Sequence, residues 1–207
     1  MTTRVPTQLI VMAKAPLPGQ AKTRLIPALG AEGAARLAAR LLEHAMQQAR
    51  AAQLGEVTLA CTPDTRHAAF AGQAAEGGVQ LVSQGDGDLG ARMHRLLSQA
   101  LSHAERALLI GTDAPALDAA TLRAADAALA APGIDAVFVP AADGGYVLVG
   151  LRHDAPSLFD GMTWSTASVM AATRERLMQS GLRHVELPTL HDIDEPADLV
   201  HLPAGWL

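Results

Sequence analysis

Short apolar runs that alternate with helix-length amphipathic stretches constrain this chain more than any other feature. Gln8–Ala13 (QLIVMA), Glu56–Cys61 (EVTLAC), Val79–Ser83, Ala107–Gly111 (ALLIG) and Asp135–Ala141 (DAVFVPA) are each long enough for a buried strand. Between them, Ala31–Ala52 sets Ala34, Leu37, Ala38, Leu41, Leu42, Ala45 and Met46 on one helical face, and Leu89–Ala104 and Asp118–Ala131 repeat the pattern. This alternation predicts a mostly parallel α/β sheet with helices on both faces. One step breaks it. Only Ala142-Asp143-Gly144-Gly145 separates Asp135–Ala141 from the next run, Tyr146–Leu151. A parallel crossover needs a dozen residues or more, so that run is expected antiparallel. A helix over Thr166–Ser180, a short strand near His184–Leu187 and a helix start at Asp194-Glu195-Pro196 complete a mixed sheet.

With 207 residues and no linker, repeat or low-complexity tract, the chain is expected to form one domain over residues 1–207. It is 49% hydrophobic but only 3% aromatic, so the core must be built of Ala, Leu and Val. A net charge of −5 argues against a nucleic-acid polymer or an anionic membrane as partner and favours a small anionic ligand in a local basic pocket. The single cysteine, Cys61, has no internal disulfide partner, and Met1–Gln8 is polar, without a signal-peptide pattern. No apolar run approaches the roughly 18–20 residues of a membrane span. Together these features predict a cytoplasmic protein.

In an open α/β sheet the ligand crevice lies beyond the carboxyl ends of the strands. After the first strand comes VMAKAPLPGQAKTRL, in which Pro16, Pro18 and Gly19 shape the backbone and Lys14, Lys22 and Arg24 supply positive charge. It reads either as a phosphate-binding loop or as a solvated surface loop. It is not the G-x-x-x-x-G-K-[ST] phosphate loop, with which it shares only the Lys22-Thr23 pair. After the fourth strand, Gly111-Thr112-Asp113-Ala114-Pro115 delivers a carboxylate that would serve as half a Mg²⁺ site or as a helix N-cap, a role Asp118 or Thr121 fills more naturally. Asp143-Gly144-Gly145-Tyr146 permits close ligand approach but, by itself, reads as a hairpin turn. On an extended segment, Asp192 and Asp194 project to one side, for metal binding or for capping the helix that follows.

Other candidates are weaker. Gly85-Asp86-Gly87-Asp88-Leu89-Gly90 lacks the twelve-residue Ca²⁺ pattern and reads as a turn capping the next helix. The eight histidines show no zinc spacing. Cys61 reads as packing, Ser165 and Thr166 as caps of the helix that follows them, and no G-x-S-x-G elbow occurs.

Taken together, K-A-P-L-P-G-Q-A-K-T-R-L at Lys14–Leu25, G-D-L-G-A-R-M at Gly87–Met93, G-T-D-A-P-A-L at Gly111–Leu117, P-A-A-D-G-G-Y-V-L-V-G-L at Pro140–Leu151, F-D-G-M-T-W-S-T at Phe159–Thr166 and D-I-D-E-P-A-D-L at Asp192–Leu199 cover most of the chain. In this order they resemble the bacterial glycosyltransferase-like family grouped as DUF2064 and labelled radical-SAM/selenodomain-associated transferase 1. The resemblance implies a Rossmann-like, GT-A-type fold of the nucleotide-diphospho-sugar transferase superfamily. It also implies a nucleotide or nucleotide-sugar ligand, a small-molecule acceptor, and Mg²⁺ or Mn²⁺. Carried over, it puts Lys14, Gly19, Lys22, Thr23 and Arg24 on the phosphate loop, with Lys22 and Arg24 also assisting catalysis. Asp113 and Asp194, with Asp192 close by, fall on the metal positions. Asp143, Gly144, Gly145 and Tyr146 fall on the acceptor or sugar side, with Asp143 as base or acceptor-binding group. Two departures are visible: prolines replace most glycines of the nucleotidyltransferases' G-G-x-S-x-R-M-G loop, and Gly111-Thr112-Asp113 keeps only the last carboxylate of a D-x-D motif.

Overall fold

The computed structural model describes residues 5–207, so the polar start at residues 1–4 lies outside the described residues. Its centre is β1 (Val5–Lys14), which alternates Leu9, Val11 and Ala13 toward one face with Ile10 and Met12 toward the other, as a strand covered on both sides must. On one flank β1 pairs in parallel with β2 (Val57–Thr62), which pairs with β3 (Val79–Ser83); on the other it pairs in parallel with β4 (Ala104–Ile110). The chain leaves β1 in opposite directions, and that reversal makes its carboxyl end the switch point where such sheets open a crevice. Beyond β4 lie β5 (Ala136–Pro140), β6 (Tyr146–Leu151) and β7 (His184–Glu186), in the order β3-β2-β1-β4-β6-β5-β7. As the short connection requires, β6 runs antiparallel to both β4 and β5. The β5–β6 register slips between Val139 and Pro140, where proline has no N–H to give.

On one face lie α1 (Ile26–Ala52), α2 (Ala68–Ala75) and α4 (Ala119–Ala130); α3 (Leu89–Leu101) and α5 (Val169–Gln179) cover the other. Gly30, with φ 71° and ψ 165°, kinks α1 one residue before the predicted helix begins. A third cluster joins Leu25, Leu37 and Leu41 to Ile193 and the C-terminal segment, where Arg40 lies 4.9 Å over the Trp206 ring. No helix among the described residues is long and apolar enough to cross a membrane.

Several boundaries differ from the sequence reading. The helix expected to reach Ala104 stops at Leu101, because Val5 donates to the His103 carbonyl and draws the following residues into β4. The eight-residue α2 has no strong pattern of its own and is held by Phe70 in the core and by the His67 ring accepting from the Ala69 N–H. At the C-terminus, Pro196–His201 forms a 3₁₀ turn in place of a helix. Asp118, as expected, caps α4, with Oδ1 accepting from the Thr121 N–H at 2.7 Å.

That cap yields a test. The Thr121 backbone N–H, then its hydroxyl, holds the Asp118 carboxyl below its ordinary value of 3.8. A lowered folded-state value contributes stability at pH above that ordinary value and loses it as the pH falls through the folded one. Asp118→Ala is therefore expected to cost about 1 kcal/mol at neutral pH. In urea unfolding the difference should shrink below the aspartate range.

Candidate active site at the carboxyl edge of the sheet

A cleft of about 630 Å³ opens at the carboxyl ends of β1, β2 and β4 and at the start of β6, a volume suited to a nucleotide-sized ligand. Its organising group is the ammonium of Lys22. The loop after β1 turns back on itself: the Leu17 carbonyl accepts from the N–H groups of Gln20 and Ala21, with Gly19 at φ 76° and with Ala15 and Ala21 buried. Lys22 then adopts a left-handed conformation (φ 48°), unusual for a residue with a side chain, and points inward. Its Nζ lies 2.8 Å from Asp113 Oδ1 and 3.2 Å from Asp194 Oδ1, and donates to the Ile193 carbonyl at 2.6 Å. The Lys22 side chain is only 7% exposed, whereas the two carboxylates keep over 40% of theirs. Burial pulls the Lys22 pKa down, but Asp113 and Asp194 outweigh it and hold the ammonium above the ordinary lysine value.

The partners are positioned by backbone. The Ile193 N–H donates to the Asp113 carbonyl at 2.9 Å, and the fully buried Ile193 side chain anchors the segment in the third cluster. Alternation along that extended segment turns Asp192 and Asp194 together into the cleft. Neither of them caps the turn that follows. Glu195 stands at its N-cap, and Asp198 Oδ2 accepts from the N–H groups of Asp194 and Glu195. Asp194 is left to pair with Lys22 and, at 3.1 Å, with Arg24. Half-burial and the nearby Asp143 carboxylate push Asp192 up to about 6. Asp143 Oδ1 accepts from the Gly145 N–H at 2.8 Å, so the hairpin turn also presents a carboxylate to the cleft.

Of the predicted residues, Lys14, Lys22, Thr23, Arg24, Asp113, Asp143, Gly145, Tyr146, Asp192 and Asp194 line the cleft, while Gly19 and Gly144 do not. Gly19 serves the turn. Gly144 serves packing, since a Cβ there would fall 2.1 Å from the Ala167 carbonyl oxygen. Lys22, placed by resemblance on the phosphate loop, is engaged with carboxylates; Lys14 has no ion-pair partner among the described residues, and Arg24 is 58% exposed. Asp88 caps α3 through the Ala91 N–H, as the turn reading expected. Ser165 and Thr166 do not begin a helix: α5 starts at Val169, Thr166 Oγ1 donates to the Thr163 carbonyl, and Ser165 sits at φ 60° on the cleft wall. Burial raises the Cys61 thiol to about 12, in keeping with packing. Among the described residues no three His, Cys, Asp or Glu side chains gather as a metal cluster. Two cleft residues escaped the sequence reading. Gln84 carries no motif; it lines the cleft and ties two strand ends by donating to the Ala13 and Ala60 carbonyls. Trp164 lies inside a quoted motif, but only the fold brings it to the site.

A family model described as "Uncharacterized protein conserved in bacteria (DUF2064)" matches residues 36–166. A crystal structure from Desulfovibrio desulfuricans G20, provisionally described as a nucleotide-diphospho-sugar transferase, is 30% identical over 93% of this chain and 84% of its own, with a TM-score of 0.83. A nucleotidyl transferase from Methanothermobacter thermautotrophicus is similar in fold, at 16% identity over 97% of both chains and a TM-score of 0.69. So is CMP:2-keto-3-deoxy-manno-octonic acid synthetase complexed with CTP, at 13% identity over 95% of this chain and 96% of its own, with a TM-score of 0.60. No curated protein matches the sequence.

The Lys22 junction predicts its own mutational cost. Lys22→Met removes the buried ammonium, leaving Asp113 without its cation and Asp194 paired with the exposed Arg24 alone. Because both carboxylates remain partly solvated, the loss expected in urea unfolding at neutral pH is about 2 kcal/mol, below that of a fully buried pair. Lys22→Met combined with Asp113→Asn should recover part of it.

Proposed function

The chain belongs to the DUF2064 family, and from that premise we propose that residues 1–207 form one nucleotide-dependent transferase, a glycosyltransferase that uses a nucleotide-sugar donor with Mg²⁺ or Mn²⁺. The observation that carries this reading is the meeting, at the switch point of the sheet, of a cationic loop with the carboxylates of Asp113 and Asp194. The donor set suits a hard cation. Two carboxylates already share one positive charge at 2.8 and 3.2 Å, and a divalent cation commonly uses one or two carboxylates and takes its remaining oxygens from substrate phosphates.

In this reading Asp113 and Asp194 hold the cation, with Asp192 beside them. Its chemistry would be to neutralise charge on the departing diphosphate. Lys14, Thr23 and Arg24 bind the phosphate oxygens, and Lys22 keeps the two carboxylates together and adds positive charge next to the leaving group. Asp143 takes the proton of the attacking acceptor hydroxyl. The acceptor oxygen bonds to the anomeric carbon as the bond from that carbon to the diphosphate oxygen breaks with its electron pair, releasing a nucleoside diphosphate.

The nucleotidyl chemistry named for the Methanothermobacter neighbour supports a second reading, nucleotidyl transfer to a small phosphorylated acceptor. Products separate the two: nucleoside diphosphate from a nucleotide-sugar, or pyrophosphate from a nucleoside triphosphate. Saturable binding without turnover would instead identify a nucleotide-binding module. The core test is calorimetric titration with a nucleotide-sugar panel, with and without divalent cation. The wild type is expected to lose about tenfold or more in affinity when the cation is chelated. In Asp113→Ala chelation should make little difference; equal affinity and equal cation dependence in both proteins would sink the reading.

A further inference from the structure

The charge of the cleft changes sign along its length. Among the described residues every cation that lines it, Lys14, Lys22 and Arg24, comes from the end of β1 or the segment that follows it. At the β5–β6 hairpin stands Asp143, with Asp192 close to it and to the Asp113–Asp194 pair. An aromatic wall adjoins those carboxylates. Tyr146 and Trp164 meet edge to face, with ring centroids 6.5 Å apart at 87°. Behind them Phe138 packs edge-on to Tyr146 and Phe159 stacks on Trp164.

This wall is built in advance of any ligand. At the start of α3, Gly90 lies against the indole so closely that a Cβ there would come within 2.5 Å of Trp164 Nε1. Only the absence of a side chain seats the ring. Trp164 Nε1 is buried without a hydrogen-bond partner among the described residues, and the Tyr146 hydroxyl donates to the Met93 sulfur at 4.0 Å, a weak acceptor. Polar groups spent so poorly on the protein itself are consistent with a wall kept for its apolar face.

We propose that this end of the cleft selects an uncharged, hydroxyl-bearing ring, a glycoside, as acceptor, with its apolar face on Trp164 and Tyr146 and a hydroxyl donating to Asp143. The inference rests on the donor reading above and names the acceptor class for that same site. Ionised carboxylates accept hydrogen bonds and cannot donate them, so they pair with hydroxyl groups. A phosphate or carboxylate on the acceptor would face the like charge of Asp143, whereas a neutral ring meets only hydrogen-bond acceptors and aromatic surface.

The test uses the full chain at pH 8 in a Trp206→Phe background, which leaves Trp164 as the only tryptophan. Its fluorescence is titrated with the methyl glycosides of glucose, galactose and mannose and with the corresponding hexose 6-phosphates. At least one methyl glycoside is expected to saturate the signal, with its 6-phosphate counterpart about tenfold weaker or worse. Asp143→Asn should narrow that gap by about threefold or more. Gly90→Ala, which displaces the indole, should weaken glycoside binding about tenfold while nucleotide binding, followed by calorimetry on the same preparation, persists. Phosphates that bind as tightly as the neutral sugars, or the failure of all three glycosides to saturate, would overturn the inference. If nucleotide binding holds in that event, the donor reading survives; loss of nucleotide binding with intact glycoside saturation counts against the donor reading alone.

Discussion

Lys22 Nζ draws together segments that are up to 172 residues apart in sequence: the loop after β1, the end of β4 and the extended strand-like piece at Ile193 and Asp194. A buried ammonium is costly unless its protons are all engaged, and here two carboxylates and one carbonyl engage them. The same three contacts define the cleft. Without the ammonium, Asp113 and Asp194 would repel, and the Ile193 segment would be held at the sheet edge by its hydrogen bond to Asp113, its apolar anchor and the exposed Arg24–Asp194 pair.

The cleft is polarised as a result. Cations come from the end of β1 and the segment that follows it, and because two of the three pair with Asp194, Lys14 is the one left without an ion-pair partner among the described residues. The acidic groups extend from the centre toward the β5–β6 hairpin, where burial, with the Asp143 carboxylate nearby, raises Asp192. A donor that carries phosphates and an acceptor that carries hydroxyls would each find the matching half. The aromatic wall lies on the acidic side and is fixed by packing against Gly90 and Phe159, so its geometry owes nothing to the charged centre.

Both halves depend on the reversal of chain direction about β1. Parallel strands on either side of it bring their loops to one edge, and the antiparallel β6 brings its beginning, Tyr146, to that same edge. Had β6 run parallel, the Asp143-Gly144-Gly145 turn would lie at the opposite end of the sheet. The four-residue connection excludes that arrangement, which is why one short loop matters to the site.

Short apolar runs and helical spacing in the sequence determined the strands and most helices, and the four-residue connection determined the reversed β6, because burial between helices and chain reach both leave local marks on the sequence. Local turn chemistry and alternation also pointed to Asp118 or Thr121 as the cap of α4, to the turn at residues 85–90 as the cap of α3, and to Asp192 and Asp194 facing one way. Local pattern was silent on α2, held by one phenylalanine and a histidine cap, and it misplaced the start of α5, where hydroxyl-to-carbonyl contacts in residues 163–168 compete with helix. Only the tertiary structure decided that Lys22 turns inward to the carboxylates while Lys14 forms no ion pair among the described residues, since a left-handed backbone and partners 91 and 172 residues away leave no mark on neighbouring residues. The same holds for Gln84 and Trp164. Their roles arise from what the fold sets beside them, strand-end carbonyls in one case and a glycine in the other, and such contacts between distant segments have no local periodicity to betray them.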